Sequence, residues 1–293
     1  MSTAGQTRRQ VISHESFLRY ARLRWLWIGL LLSLVVAAGF AASFVLHDHR
    51  LKHTGSSWFG YTSGTIGAGL IVWLACLGIR KRLMTDNAWS LKAWVSAHVY
   101  LGLSLIVIAT LHSGLQFGWN VHTLAYALMM LVIVSGIFGI VMYARLPEKL
   151  SDTRGETTQK QILEKINTLD NRLLDVARPL EQGQAALVRK AVQKTRIGGG
   201  FWQRLSGWHG NCPTKLALAE LSAVRGRMAD GPQATALDQV LSLLEEKNAT
   251  LDKARRYIRL RSLLEVWLYI HIPATLALIA ALTAHIISVF FFW

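Results

Sequence analysis

Cysteine is nearly absent from this chain of 293 residues, which contains only Cys76 and Cys212. Two cysteines exclude a cysteine-ligated iron–sulfur cluster, and neither lies in a C-x-x-C-H sequence or suggests a structural disulfide. The motifs G-x-G-x-x-G opening a βαβ unit, G-x-x-x-x-G-K-[ST] and H-E-x-x-H are also missing. The sequence therefore gives no support for dinucleotide binding, a phosphate-binding loop or a zinc-protease site.

Charged side chains are missing from long stretches of the chain. Ala93 to Ala144 contains no Asp, Glu, Lys or Arg, and Trp25 to Leu46 and Trp58 to Ile79 are largely apolar. About 20 apolar residues suffice to cross a hydrocarbon core of about 30 Å. The rest of the chain contains 32 Lys and Arg but only 17 Asp and Glu. Membrane topology explains this basic excess, so we expect contact with membrane lipid and none with nucleic acid.

These patterns predict an all-α fold, a five-span transmembrane helix bundle with a helical cytoplasmic insert between spans 4 and 5. The stretch from Ala93 to Ala144 is long enough for two spans, with a turn at Gln116 to Asn120. The predicted parts are a cytoplasmic N-terminal segment (1–24), spans 1 to 4 (25–145), the insert (146–262) and span 5 (263–293).

The insert has the spacing of amphipathic helices. We predict helices over Glu156 to Val176, Ala185 to Lys194 and Lys215 to Met228, and a last helix from about Ala234 that continues directly into span 5. Pro273 is expected to kink or loosen that span. Four residues are unusual in a solvated linker and predict either a small packed core or a contact with a partner or quinone: Trp202, Trp208, His209 and Cys212.

The loops predict the orientation. Residues 1–24 and 80–92 carry nine Lys or Arg, whereas the loops on the other side carry only Arg50 and Lys52. By the positive-inside rule, the N-terminus and the insert lie in the cytoplasm and the C-terminus lies in the periplasm of a bacterial-type inner membrane.

Two pairs of histidines lie within uncharged stretches. His98 and His112 are fourteen residues apart, as are His271 and His285. Fourteen residues turn an α-helix through about 1400°, so the members of a pair share one face, about 21 Å apart along the axis. If spans 3 and 5 run in the same direction, His98 opposes His271 and His112 opposes His285. Each site then has two imidazoles across a gap, which suits a haem better than zinc, since no other ligand lies nearby.

The four histidines resemble the paired H-x13-H helices of membrane di-haem b-type cytochromes. Their place on the third and fifth segments is most similar to the ferric-reductase-like transmembrane group. The five-segment size is similar to that of the cytochrome b subunits of nitrate reductase and formate dehydrogenase. The resemblance covers the membrane part and implies two non-covalent b-type haems, with these histidines as ligands of the haem iron.

The resemblance also implies electron transfer across the bilayer between a cytoplasmic redox partner and a quinone or periplasmic partner. Ferric reductases carry a flavin and nicotinamide module after the last span, and no such module follows here. We therefore expect an electron-transfer subunit of an oxidoreductase complex rather than a self-contained enzyme. Its partner subunit would carry flavin, iron–sulfur clusters or several haems.

Other interpretations remain open. His122 has a possible secondary role beside a haem propionate or a quinone, or it caps its helix, and Trp119 suits the membrane interface. His47, His49 and His53 form either a solvated loop or a metal site. The alternatives for the whole chain are a haem-free transporter or channel that uses histidines for proton transfer, or a membrane scaffold.

Overall fold

A computed structural model describes residues 17–46, 57–78, 90–145 and 154–291, and these residues form helices joined by turns, without a strand. The all-α prediction is therefore confirmed for this part of the chain. A 3₁₀ segment, Phe17–Leu23, precedes α1. The α-helices are α1 (Arg24–Leu46), α2 (Trp58–Ala75), α3 (Leu91–His112), α4 (Val121–Arg145), α5 (Arg154–Val176), α6 (Gln182–Gln193), α7 (Phe201–Ser206), α8 (Pro213–Arg225) and α9 (Pro232–Phe291).

Four of these helices are long and apolar enough to cross a membrane: α1, α3, α4 and α9. The chain is thus a multi-pass membrane protein by helix length and composition. The helix α2 is not among the four, because glycine, serine and threonine dilute the apolar residues in its first half. The second of the five predicted spans, which corresponds to α2, therefore stays a prediction.

The chain divides into two compact units. The apolar unit is Met1–Ile137 together with Ile270–Trp293, and the polar unit is Phe138–Tyr269. The helices α4 and α9 each contribute residues to both units. In each of these two helices the boundary between the units lies within eight residues of the change from uncharged to charged sequence, at Arg145 in α4 and Glu265 in α9.

The core of the apolar unit is built from residues of α2, α3, α4 and α9. Its buried members are Leu74, Ala97, Leu101, Leu105, Met129 and Leu278. Large aliphatic side chains of α1 point outward, with Leu31 62% and Leu34 65% exposed. Apolar side chains on the outside are stable in lipid, where they face hydrocarbon instead of water.

Small residues allow the helices of the apolar unit to approach closely. A Cβ at Gly29 of α1 would lie 2.9 Å from the carbonyl oxygen of Tyr100 in α3, and one at Gly67 of α2 would lie 3.6 Å from Ile108. The hydroxyl of Tyr100 donates to the Leu18 carbonyl at 2.7 Å. Gly69 of α2, in contrast, has no neighbour within 4 Å of its added Cβ.

The polar unit has its own core, formed where α5, α6, α8 and α9 pack together. Its buried residues are Leu173, Ala177, Leu180, Val188, Ala191, Ala217, Leu221, Leu237, Val240 and Leu244. They recur at intervals of three and four, as expected for amphipathic helices. The predicted helices of the insert are present with bounds shifted by a few residues, and α7 was not predicted.

One fully buried charge lies in the polar unit. Lys247 of α9 has no exposed side-chain surface, and it donates hydrogen bonds to the Asp170 carboxylate of α5 and, at 2.9 Å, to the Ala191 carbonyl of α6. A buried ammonium needs such partners because its desolvation is costly. This lysine therefore ties three helices together at one point.

The last helix, α9, is 60 residues long and runs from Pro232 to Phe291 without interruption. The prediction that the last helix of the insert continues directly into the apolar segment is confirmed. Pro273 lies inside the helix and does not end it.

Candidate haem-binding site

The two histidine pairs lie on α3 and on the part of α9 that belongs to the apolar unit. The imidazole rings of His112 and His285 have their centroids 6.0 Å apart and their planes at 88°. His98 lies close enough to His271 for the two rings to interact electrostatically. Because the earlier residue of each helix meets the earlier residue of the other, α3 and this part of α9 run in the same direction.

The separation of His112 and His285 suits a metal held between them. A metal–nitrogen bond is about 2 Å long, so two imidazoles on opposite sides of one metal ion have centroids roughly 6 Å apart. The observed 6.0 Å matches this distance. The residues at this site therefore fit a haem iron with two axial histidines.

The histidines of α3 are held by the backbone of α2. Nδ1 of His98 donates to the Leu74 carbonyl at 3.1 Å, and Nδ1 of His112 donates to the Gly60 carbonyl at 2.9 Å. A carbonyl oxygen can only accept, so the proton of each neutral ring is on Nδ1. The lone pair of Nε2 is then free to bind a metal.

The histidines of α9 are held by side chains of α4. Nδ1 of His271 lies 2.7 Å from Oγ of Ser135, whose hydroxyl donates to the Val132 carbonyl at 2.8 Å. The Ser135 hydroxyl and Nδ1 of His271 are therefore hydrogen-bonded to each other. Nδ1 of His285 contacts Nδ1 of His122. All four histidines thus have Nδ1 engaged, the arrangement by which proteins orient a histidine that binds metal through Nε2.

Space at the rings comes from small residues on their neighbours. A Cβ at Gly64 of α2 would lie 2.7 Å from Cε1 of His112, closer than real Cβ atoms approach, and one at Gly136 of α4 would lie 3.6 Å from Cε1 of His271. Two alanines of α9 are also buried: Ala274, three residues after His271, and Ala281, four residues before His285.

His122 lies at the start of α4 and contacts His285, with ring centroids 4.5 Å apart. It does not cap the helix, because Asn120 does so by accepting from the backbone N–H of Thr123 at 2.9 Å. Trp119 lies in the turn before α4 and is fully exposed. Its interfacial role stays a prediction, and so does the role of His122 beside a haem or quinone.

In the part of the chain that the structure describes, no group of three or more His, Cys, Asp or Glu side chains is arranged to hold a metal ion. A bis-histidine haem needs only two protein ligands, because the porphyrin supplies the other four nitrogens. The loop histidines His47, His49 and His53 lie outside the described residues.

The sequence could not identify the groups that hold Nδ1. Leu74 and Gly60 act through backbone carbonyls, which any residue possesses. Ser135 precedes His271 by 136 residues in the chain. One feature of the sequence does indicate the contact with α2. Gly60 and Gly64 lie one helical turn apart, and such small residues are typical of the helix face that packs closely against a neighbour, here the face in contact with His112.

The four unusual residues of the insert do not form one packed core. Trp202 is 78% and Trp208 is 75% exposed, so the packed-core interpretation is wrong for both tryptophans. Six residues are too few for a helix such as α7 to bury one face in a core. Cys212, in contrast, is buried at the start of α8.

Burial of the Cys212 thiol acts to raise its pKa, but hydrogen bonds to the sulfur outweigh this effect. They come from the Arg255 guanidinium, at 3.3 Å, and from the backbone N–H groups of Lys215 and Thr214. The pKa of Cys212 therefore lies below its ordinary value. The Cys212 side chain thus connects the start of α8 to Arg255 of α9 through a hydrogen bond.

Comparisons with protein-family models, with curated proteins and with solved structures find no match for this chain.

Proposed function

We propose that this chain is a di-haem b-type cytochrome, the membrane electron-transfer subunit of a respiratory-type oxidoreductase complex. One haem lies between His98 and His271 and the other between His112 and His285. The observation that carries the proposal is that all four histidines have Nδ1 engaged by a neighbouring helix. This orientation leaves the Nε2 atom of each ring available to bind a metal.

The residues of this chain hold, orient and insulate the haems. Leu74, Gly60 and Ser135 fix three rings and make their Nε2 atoms better donors. The surrounding apolar core keeps water from the site and favours a ring system that is itself apolar. When bound, a b-type haem supplies reversible one-electron chemistry at its iron.

The proposed topology has five spans, with α2 as the second. It places the N-terminus and residues 146–262 in the cytoplasm of a bacterial-type inner membrane and the C-terminus in the periplasm. The distribution of Lys and Arg among the short loops supports this orientation. A flavin, iron–sulfur or multihaem subunit on the cytoplasmic side exchanges electrons with the inner pair, and a quinone or periplasmic partner exchanges them with the outer pair.

The first experiment is a dithionite-reduced minus oxidised spectrum with a pyridine haemochrome assay on the purified full-length protein. We expect about two b-type haems per chain, one for each pair of axial histidines. Folded protein that contains no haem, although it was expressed with haem available, would contradict the proposal.

A second candidate function, proton transfer in a haem-free membrane protein, is favoured by one observation. His112, His285 and His122 follow one another in ring contact and could pass a proton along this row. The haem assay separates the two functions, because a proton-transfer protein of this kind is colourless.

A further inference from the structure

A groove lies in the polar unit beside the short helix α7. It has a volume of about 310 Å³ and is lined by residues of the loop before α7, of α7 and of α9. Its polar lining consists of Arg204, Tyr257, Arg261, Ser262 and Glu265. Arg261 is held in place within α9 by Glu265, whose Oε1 lies 3.1 Å from its Nε, and by the Tyr257 side chain.

The helix α7 is fixed to α9 next to this groove. Nε of Arg259 donates to the Leu205 carbonyl at 3.0 Å. The Arg259 side chain passes Gly207, where an added Cβ would lie 3.0 Å from its Cδ and where φ is +71°, in the left-handed region that favours glycine. The position of α7 along α9 is therefore set by Arg259.

This position lies just outside the apolar end of α9. From Val266 onward the chain contains no Asp, Glu, Lys or Arg. At 1.5 Å per residue, Arg259 is about 10 Å from Val266 along the helix. The polar headgroup layer on each side of the hydrocarbon core is roughly 5 to 8 Å thick. If the uncharged part of α9 enters the hydrocarbon, the groove residues from Arg261 to Glu265 lie within the headgroup layer, and α7, which is held at Arg259, lies at the outer edge of that layer.

The side chains around the groove have the character of a membrane interface. Phe201 is 60% and Trp202 is 78% exposed on α7, and aromatic residues are enriched at that depth. Between Glu181 and Glu220 the chain has six Lys or Arg and no acidic residue, and from Lys253 to Arg261 it has five Lys or Arg and none. Glu265 is the single carboxylate in the groove lining.

We propose that this groove binds the phosphate of an anionic phospholipid, with Arg204 and Arg261 as its cationic ligands, while Phe201 and Trp202 rest against the headgroups. Arginine suits this ligand because its planar guanidinium can bind two phosphate oxygens at once. The inference rests on membrane insertion of α9 and is independent of the haems.

The test is native mass spectrometry of the purified full-length protein in detergent, titrated with phosphatidylglycerol or with phosphatidylcholine of the same acyl chains. We expect preferential binding of phosphatidylglycerol. The double variant Arg204→Gln/Arg261→Gln should weaken that binding roughly tenfold or more, since each basic residue near an anionic headgroup contributes severalfold. The matched control Arg189→Gln/Lys190→Gln removes the same charge from the exposed face of α6 and should leave it unchanged.

Equal binding of the two lipids, or equal affinities of the groove variant and the control variant, would overturn the proposal. Free glycerol phosphate at the same concentration should not displace the lipid; displacement would show that a soluble phosphate, and not a lipid, is the ligand. Haem content is measured on the same samples, so that a failure of the haem proposal is seen separately.

A depth measurement gives a second readout. A nitroxide attached at Trp202→Cys, in a Cys76→Ser/Cys212→Ser background reconstituted in bilayers, should show the oxygen and nickel-chelate accessibility of the headgroup region. The same label at Glu220→Cys, on the exposed side of α8, should report bulk water. Equal aqueous accessibility at the two positions would refute the placement of α7.

Discussion

The two units of this protein share the same helical geometry but expose opposite kinds of side chain. In the polar unit, aliphatic residues such as Leu173, Leu237 and Leu244 have no exposed surface, and most charges lie outside. In the apolar unit, leucines of α1 face outward and four histidines lie between helices. The difference follows from the solvent. In hydrocarbon, burying a leucine side chain between helices gains no hydrophobic free energy, whereas giving a polar group a hydrogen-bond partner is strongly favourable.

Removing a histidine from the apolar unit is expected to have the largest effect. His112→Ala and His285→Ala should each lower the haem content from about two to about one per chain, because each change removes one of the two protein ligands that hold the outer haem between α3 and α9. The pyridine haemochrome assay measures this loss. His209→Ala, in the polar unit, is the control and should keep both haems; retention of both in the His112 and His285 variants would contradict the pairing.

Breaking the buried ion pair tests the polar unit. Lys247→Met leaves the Asp170 carboxylate and the Ala191 carbonyl without their buried donor, and we expect the free energy of unfolding of this unit to fall by about 3–5 kcal/mol. Pulse proteolysis in urea measures it on the detergent-solubilised protein.

Two variants make the Lys247 experiment specific. Lys253→Met makes the same change at an exposed position of α9 and should have little effect. Lys247→Met combined with Asp170→Leu removes both charges and should recover much of the lost stability. A double variant as unstable as the single one would show that the pair is not the cause.

The glycines of α2 offer a finer comparison. An added Cβ at Gly64 would lie 2.7 Å from Cε1 of His112, whereas one at Gly69 has no neighbour within 4 Å. Both Gly→Ala changes favour helix formation by about 1 kcal/mol. Only Gly64→Ala should move the His112 ring and weaken haem binding at the outer site, by roughly tenfold. Haem-transfer titration against apomyoglobin measures the affinity, and equal values for the two variants would exclude a steric role for Gly64.

The smallest effect is expected at His122. If His285 binds iron through Nε2, its Nδ1–H donates to His122, and His122→Gln weakens this hydrogen bond. A loss of about 1 kcal/mol corresponds to roughly 40 mV for one electron, and the potential should rise because the ferric state loses a basic ligand partner. Redox titration should show the shift in one haem only. An unchanged potential would show that His122 has no such role.

Much of the fold follows from the sequence because helices are local. The uncharged stretches predicted α1, α3 and α4, and the spacing of apolar residues predicted most of the polar unit. The fourteen-residue spacing predicted that both histidines of a helix share a face, since fourteen residues are close to four complete turns. The continuity of α9 also followed, because no glycine or proline interrupts the chain between Ala234 and Leu263.

The rest depended on contacts between distant residues. The groups that hold the histidine Nδ1 atoms lie 24 to 163 residues away along the chain and include two backbone carbonyls, which leave no trace in a sequence. The exposure of Trp202 and Trp208 was missed for a related reason, since Trp202 lies in a six-residue helix that is too short to show a periodic face and Trp208 lies in the loop after it.

The helix α2 holds the histidines of α3, and α4 holds those of α9, so the two halves of each site form at different times during biosynthesis. Both histidines of α3 are held by α2, which precedes it in the chain, so half of each site can form as soon as α3 is made. The other half must wait, because His271 follows His112 by 159 residues. At about 5 to 20 residues per second, the ribosome needs roughly 8 to 32 s for that stretch. During this interval the nascent chain presents preoriented imidazoles without their counterparts, so the proposed haem sites cannot be completed before α9 has been made.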